Sequence, residues 1–312
     1  MRLVTFRKGK HNHLGVLIDD HVADIVAATR ASGGPDLPTD MTAFLALGTK
    51  GLRAAKRAAR FAAQNPKRGL FVPLSRVRLE APIPNPPKLL ALAGNYAAHV
   101  AESGKKTRPK REQTPRVFMK PPSTTVNRPG GTINLTRFAH FVDWEVELAI
   151  VIGRKATDIK PADAPRHIAG YTIINDISER QFRIRKRPES LDFDRFFDWL
   201  NGKWGDGFAP MGPCLVTADE LPDPHNLHIA LALNGKTMQD ASTSDMVFTC
   251  TEIVSYISRF VTLEPGDVIA TGTPAGIGYA QGRKLRAGDT LRAEIEGIGV
   301  LENTLVRPPK AP

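Results

Sequence analysis

The sequence predicts an α+β protein: a β-rich mixed-sheet domain preceded by a small N-terminal α/β lobe. In the C-terminal two-thirds, apolar segments of strand length outnumber segments with helical spacing. Few helical segments fall between consecutive strands, which argues against a regular βαβ alternation. Residues 81–87, APIPNPP, hold four prolines. Each proline fixes φ and removes a ladder donor, so this stretch reads as extended linker. It divides the chain into a lobe at 1–80, a linker at 81–87 and a main domain at 88–312.

In order along the chain, Leu3–Phe6 and Leu14–Ile18 read as short strands, with Val22 and Ile25 following. A helix opens near Asp40 and carries Phe44, Leu45 and Leu47. A second helix, Gly51 to Gln64, sets Ala and Leu on one side and basic residues on the other, which reads as a solvated charged face. Beyond the linker, strands are expected at Phe141–Ile152, Gly170–Ile177, Gly212–Val216, Leu227–Leu233, Asp267–Ala270 and Thr290–Ile295. Asn234-Gly235 is a two-residue hairpin signal. One further helix covers Thr251–Phe260.

The bulk properties narrow the function. No apolar run approaches the ~18 residues of a membrane span, and MRLVTFRKGK lacks the features of a secretory signal. The two cysteines, Cys214 and Cys250, form no C-x-x-C pair, so neither a disulfide framework nor a thiolate zinc site is expected. A reducing, cytoplasmic setting follows as the expectation. Net charge is +11, which favours anionic partners without separating a phosphate backbone from a carboxylate substrate. The basic patches lack the interleaved aromatics of single-strand binders, so no nucleic-acid partner is expected.

The segment Phe141–Gly153, FVDWEVELAIVIG, is the most informative. Strand periodicity puts Asp143, Glu145, Glu147, Ala149 and Val151 on one face, and the acidic row runs straight into core. Buried neighbouring carboxylates repel, and desolvation disfavours their charged forms. Either they are protonated, or basic side chains pair with them, or a metal sits there; an exposed edge strand with a polar face is the plain alternative. An all-oxygen donor set would suit a hard ion such as Mg²⁺, Mn²⁺ or Ca²⁺. Asp176 ends the apolar strand of GYTIINDISER. By itself it reads as a helix cap or turn residue; with Glu145 and Glu147 it completes a three-carboxylate site.

Four blocks in order carry a resemblance. They are Gly94-Asn95-Tyr96-x-x-His99-x-x-Glu102, Asp143-Trp144-Glu145-Val146-Glu147-Leu148, Asn175-Asp176-Ile177-Ser178-Glu179-Arg180 and Thr271-Gly272-Thr273-Pro274. Across roughly residues 85–306 the chain resembles the fumarylacetoacetate hydrolase family. The resemblance implies a β-roll, a homodimer, and a divalent metal, Mg²⁺ first, held by Glu145, Glu147 and Asp176. It implies a small anionic 2-oxo acid as substrate and no membrane partner.

It also implies His99 as general base oriented by Glu102, which helical spacing would place on one face, and Lys203 as stabiliser of an oxyanion or enolate. Tyr96, Arg180, Gly272 and Thr273 match substrate-side positions. Hydrolysis of a C–C bond in an acylpyruvate, as in breakdown of aromatic compounds, is the preferred reaction. Decarboxylation, isomerisation or ureidoglycolate-type cleavage at the same site are the rivals, and a non-catalytic basic binding protein is the alternative of another class.

Two departures stand out. Arg183 replaces a family glutamine, and is expected either to grip a second acidic group of the substrate or to point outward. The stretch Arg185–Asp198 is extra length, and its Phe193, Phe196 and Phe197 are expected over the active site or at a dimer interface. The basic segment Ser103–Arg116 is expected to be a solvated loop or a lid that attracts dianions.

Overall fold

The computed structural model describes residues 1–307 except 105, 137, 186, 188 and 190, and the Lys67 side chain. Lys105 of the basic segment and Lys186, Pro188 and Ser190 of the extra stretch thus lie outside the described residues.

Among the described residues the dominant element is a 12-stranded mixed sheet. Its path runs from Phe71–Pro73 through His21–Asp24, His11–Ile18, Arg2–Lys8, Ala209–Thr217 and Ile168–Asn175 to Val146–Ile152. It then continues through Val268–Ala270 and Leu89–Ala93 to Arg116–Met119. The N-terminal strands therefore extend the sheet of the later residues, joined where Leu3 pairs with Leu215. A second sheet, of five strands, orders Lys236–Ser242, His228–Leu233, Thr290–Ile295, Gly299–Val306 and Thr132–Asn134. Its first hairpin turns at Asn234-Gly235, where both residues take positive φ (52° and 81°) as a two-residue turn requires.

Strand alternation sorts the apolar residues into two cores on opposite faces of the large sheet. Leu148, Ile150, Ile152, Leu90 and Leu92 face the five-stranded sheet and the helix Cys250–Ser258. Ala149, Val151, Ala91, Val268 and Ala270 face the N-terminal helices. The longest of these, Gly48–Gln64, buries Ala54, Ala55, Ala58, Ala59 and Ala62 and exposes Lys50, Arg53, Lys56, Arg57 and Arg60, as its pattern predicts.

One expected strand is corrected. Phe141–Ile152 is two strands, Val142–Asp143 and Val146–Ile152, interrupted at Trp144-Glu145. The interruption has local causes. Asp143 Oδ1 accepts from the Trp144 amide at 2.8 Å and from the Gly278 amide at 2.6 Å, while Asn175 Oδ1 takes the Glu145 amide at 2.9 Å. Side chains thus satisfy donors that a continuous ladder would have used. The short first strand then pairs with Ser178–Glu179 instead.

Candidate active site

The carboxylates sit where the Val146–Ile152 strand and its neighbour Ile168–Asn175 reach the edge of the core. The Asp176 amide donates to the Glu145 carbonyl at 2.8 Å, which brings the two acidic segments together. Glu145, Glu147 and Asp176 are all buried, and one carboxylate oxygen from each lies within 4.8 Å of the others.

Two buried lysines and a part-buried arginine answer them. The Lys203 ammonium bridges Glu145 Oε2 at 2.7 Å and Asp176 Oδ2 at 2.6 Å. Lys120, with no exposed surface, donates to Asp176 Oδ1 and to the Ile177 carbonyl at 3.1 Å. Arg180 donates from Nη2 to Glu145 and from Nε to Asp143 at 2.9 Å. Rings steer Lys203 as well: its ammonium lies 5.3 Å from the Phe118 centroid and 5.8 Å from that of Trp199.

These contacts leave Glu147 apart. It accepts from a backbone donor, the Gly272 amide at 2.6 Å. Burial, then repulsion from Asp176 and Glu145, pushes its carboxyl well above the usual range. Burial acts on Glu145 too, but the Arg180 and Lys203 charges outweigh it and hold that carboxyl far below the usual range. Lys120 is lowered by burial despite Asp176, whereas Lys203 is raised because Asp176 and Glu145 outweigh its burial. Counting Asp143, four carboxyls face three cations, and Glu147 is the one with no ion pair among the described residues. An all-oxygen, buried, electron-rich cluster with one uncompensated acid fits a hard divalent ion held by Glu145, Glu147 and Asp176.

The Ala97–Glu102 helix carries the dyad. His99 Nδ1 meets Glu102 Oε1 at 2.7 Å, and Glu102 Oε2 accepts from the Gly276 amide at 2.7 Å. Glu102 is thereby fixed from two sides, and the imidazole keeps Nε2 for other partners. His99 lies near enough to Glu145 to act on it electrostatically. The helix is positioned by Asn95, which exchanges hydrogen bonds with the Phe248 amide (2.8 Å) and carbonyl (3.1 Å) and donates to the Thr271 carbonyl at 2.8 Å. Gly272 takes φ 94°, and a Cβ there would stand 2.9 Å from Asn95 Cβ, so this close approach requires glycine.

The remaining expected residues fall as follows. Tyr96 is buried, its hydroxyl has no hydrogen-bond partner among the described residues, and burial and then Glu147 raise its pKa. Thr273 donates to the Val146 carbonyl at 2.9 Å and accepts from Gln239 Nε2 at 2.8 Å. Arg183 is exposed. Phe193, Phe196 and Phe197 are exposed on the helix Asp192–Asn201, with the Phe196 ring 5.9 Å from Trp199. Within the basic segment, Lys110 pairs with Glu252 at 2.7 Å. Sequence reasoning missed Lys120 and Gln239. The MKPP context offers no signal that a lysine beside two prolines will be buried. Gln239 lies on a hairpin arm that reads as polar surface, yet it accepts the Val146 amide at 3.1 Å beside the site.

Fold and site together define an enzyme built around a buried carboxylate cluster. Residues 88–306 match the fumarylacetoacetate (FAA) hydrolase C-terminal family. The chain belongs to that family. It is 40% identical over 274 residues to a human mitochondrial oxaloacetate tautomerase, covering 87% of this chain and 81% of the relative. A crystal structure of a putative HpcE protein from Mycobacterium smegmatis superposes with a TM-score of 0.77 at 31% identity, covering 98% of this chain and 99% of that one. A maleylpyruvate hydrolase from Sphingobium sp. SYK-6, in complex with manganese(II) and pyruvate, gives 0.73 at 29% identity, covering 99% and 100%. Membership sets aside a non-catalytic basic binder. Among the described residues no helix is long and apolar enough to cross a membrane.

Proposed function

We propose that this enzyme moves a proton on a small 2-oxo acid, interconverting enol and keto forms of an oxaloacetate-like substrate at a divalent-metal site. The observation that carries the reading is the doubly fixed dyad, His99 to Glu102 to the Gly276 amide, set beside a carboxylate cluster that wants a cation. The human tautomerase relative supports this reaction over others. The family match beginning at residue 88 supports the division at 81–87.

Glu145, Glu147 and Asp176 would hold the metal, with Mg²⁺ or Mn²⁺ suited to the oxygen donors; the manganese in the hydrolase relative supports such an ion. When bound, the divalent ion supplies a Lewis acid that offsets negative charge developing on the 2-oxo oxygen. His99 uses Nε2 to take a proton from the substrate carbon or return it, and Glu102 keeps Nδ1 protonated and the ring oriented. Lys203, held between two carboxylates and two rings, adds a fixed positive charge beside the enolate. Tyr96 contributes an unsatisfied hydroxyl near Glu147.

Hydrolysis of an acylpyruvate is the second reading. The same dyad can activate a water, and the maleylpyruvate hydrolase relative favours it. Two assays separate the readings: loss of the enol absorbance of oxaloacetate, and release of pyruvate from 2,4-dioxo acids. Fast ketonisation without pyruvate release supports the tautomerase, and pyruvate release from the dioxo acids supports the hydrolase. Absence of both activities with Mg²⁺ or Mn²⁺ present contradicts the reading of the site.

A further inference from the structure

The strand Arg116–Met119 runs directly into Lys120. Alternate residues of a strand face the same way, so Arg116, Phe118 and Lys120 share one side. Two of these three already touch the carboxylate site: Lys120 donates to Asp176, and the Phe118 ring lies 5.3 Å from the Lys203 ammonium. Arg116 is the third, and its charge is uncommitted. It is exposed and has no ion pair among the described residues.

Its guanidinium has a defined place. A Cβ built on Gly94 would stand 3.3 Å from Arg116 Nη1 and 3.3 Å from Val100 Cγ2. Val100 follows His99 in the dyad helix. Arg116 also pairs across the ladder with Ala93, the last residue of Leu89–Ala93. The guanidinium therefore lies beside Gly94, next to the Val100 side chain of the dyad helix. Two residues of strand span about 7 Å, so Arg116 stands about 7 Å beyond Phe118 on the line that begins at Lys120 and Asp176.

We propose that Arg116 binds the distal carboxylate of the substrate, which makes 2-oxo dicarboxylates the substrate class of this enzyme. The proposal rests on the reading of the carboxylate cluster as a 2-oxo acid site. The proposal seats the 2-oxo acid end at that cluster and the far carboxylate on Arg116, beside the dyad helix. A planar guanidinium fork suits a carboxylate, and an unpaired arginine leaves both N–H arms available. Arg183 competes for the role, being exposed on the segment that follows Arg180.

The test is calorimetric binding of pyruvate and of oxaloacetate, with Mg²⁺ present, to the wild type, Arg116→Met, Arg116→Lys and Arg183→Met. The two ligands share the 2-oxo acid end and differ by one carboxylate. The wild type should bind oxaloacetate about thirtyfold more tightly than pyruvate, the scale of one charge-assisted hydrogen bond. Arg116→Met should abolish that gap by weakening oxaloacetate alone, and Arg116→Lys should restore part of it. A gap that survives in Arg116→Met, or is lost in Arg183→Met instead, overturns the proposal. Failure of the wild type to bind pyruvate at all contradicts the underlying reading of the site.

Discussion

Glu147→Gln removes one charge and keeps the shape. The glutamine carbonyl can still accept from the Gly272 amide, so the hydrogen bond at 2.6 Å survives. What disappears is a buried acid repelled by Asp176 and Glu145 and raised well above its usual range. A carboxyl raised on folding contributes stability below its unfolded pKa of about 4.3, and that contribution is lost as pH rises through its folded value. In chelator at pH 8, the metal-free wild type therefore carries a penalty that the variant lacks. Relieving an uncompensated buried charge is worth about 1–4 kcal/mol, several degrees in Tm for a chain of this size. Metal reverses the order. At a thousand times its Kd, a ligand stabilises the folded state by about 4.1 kcal/mol, and the variant loses that gain with its ligand oxygen. Thermal unfolding of both proteins in EDTA and in excess MgCl₂ should thus show the curves crossing: the variant higher in EDTA, the wild type higher in magnesium. A variant less stable than wild type in EDTA, or equally stabilised by magnesium, would refute the reasoning.

Three further outcomes follow from the same geometry. His99→Gln or Glu102→Gln should lower kcat by about 10²–10⁴ with KM little changed, measured with Mn²⁺ binding followed in parallel by electron paramagnetic resonance; unchanged turnover removes the dyad from the mechanism. Lys120→Met strips a fully buried cation from Asp176 and should cost about 3–5 kcal/mol of stability in chelator, read by urea unfolding; a change below about 0.5 kcal/mol, the ordinary surface-mutation scale, would contradict the pairing. Because Glu147 must lose its proton to become a ligand, metal binding should release protons and tighten as pH rises; calorimetry in two buffers of different ionisation enthalpy detects the release, and identical enthalpies would count against it.

Much of the site is legible because strand geometry is periodic. The two-residue spacing of Glu145 and Glu147, leading into Ala149 and Val151, marks a carboxylate row entering core, and Asp176 lies at the end of an apolar run. The helix Gly48–Gln64 and the Asn234-Gly235 turn were readable for the same reason, as local patterns with local causes. What stayed hidden depends on partners far along the chain. Lys120 reads as a polar residue beside prolines until Asp176, 56 residues away, is folded against it. The break at Trp144-Glu145 needs the Gly278 amide, which donates to the Asp143 carboxylate, and the Asn175 side chain, which accepts from the Glu145 amide. The pairing of Leu3 with Leu215 sets the N-terminal strands in the large sheet, and no local pattern encodes it. Arg180 matches a substrate-side position, and a salt bridge explains it equally well from sequence; the fold gives its guanidinium to Asp143 and Glu145.

Anomalous diffraction from crystals grown with Mn²⁺ tests the metal site most directly. The expected map holds one strong peak about 2.0–2.4 Å from an oxygen of each of Glu145, Glu147 and Asp176, as hard-ion coordination requires. A peak elsewhere, or none there while the Lys203 ammonium still bridges Glu145 and Asp176, would mean that the lysine, not a metal, is the resident cation of this cluster.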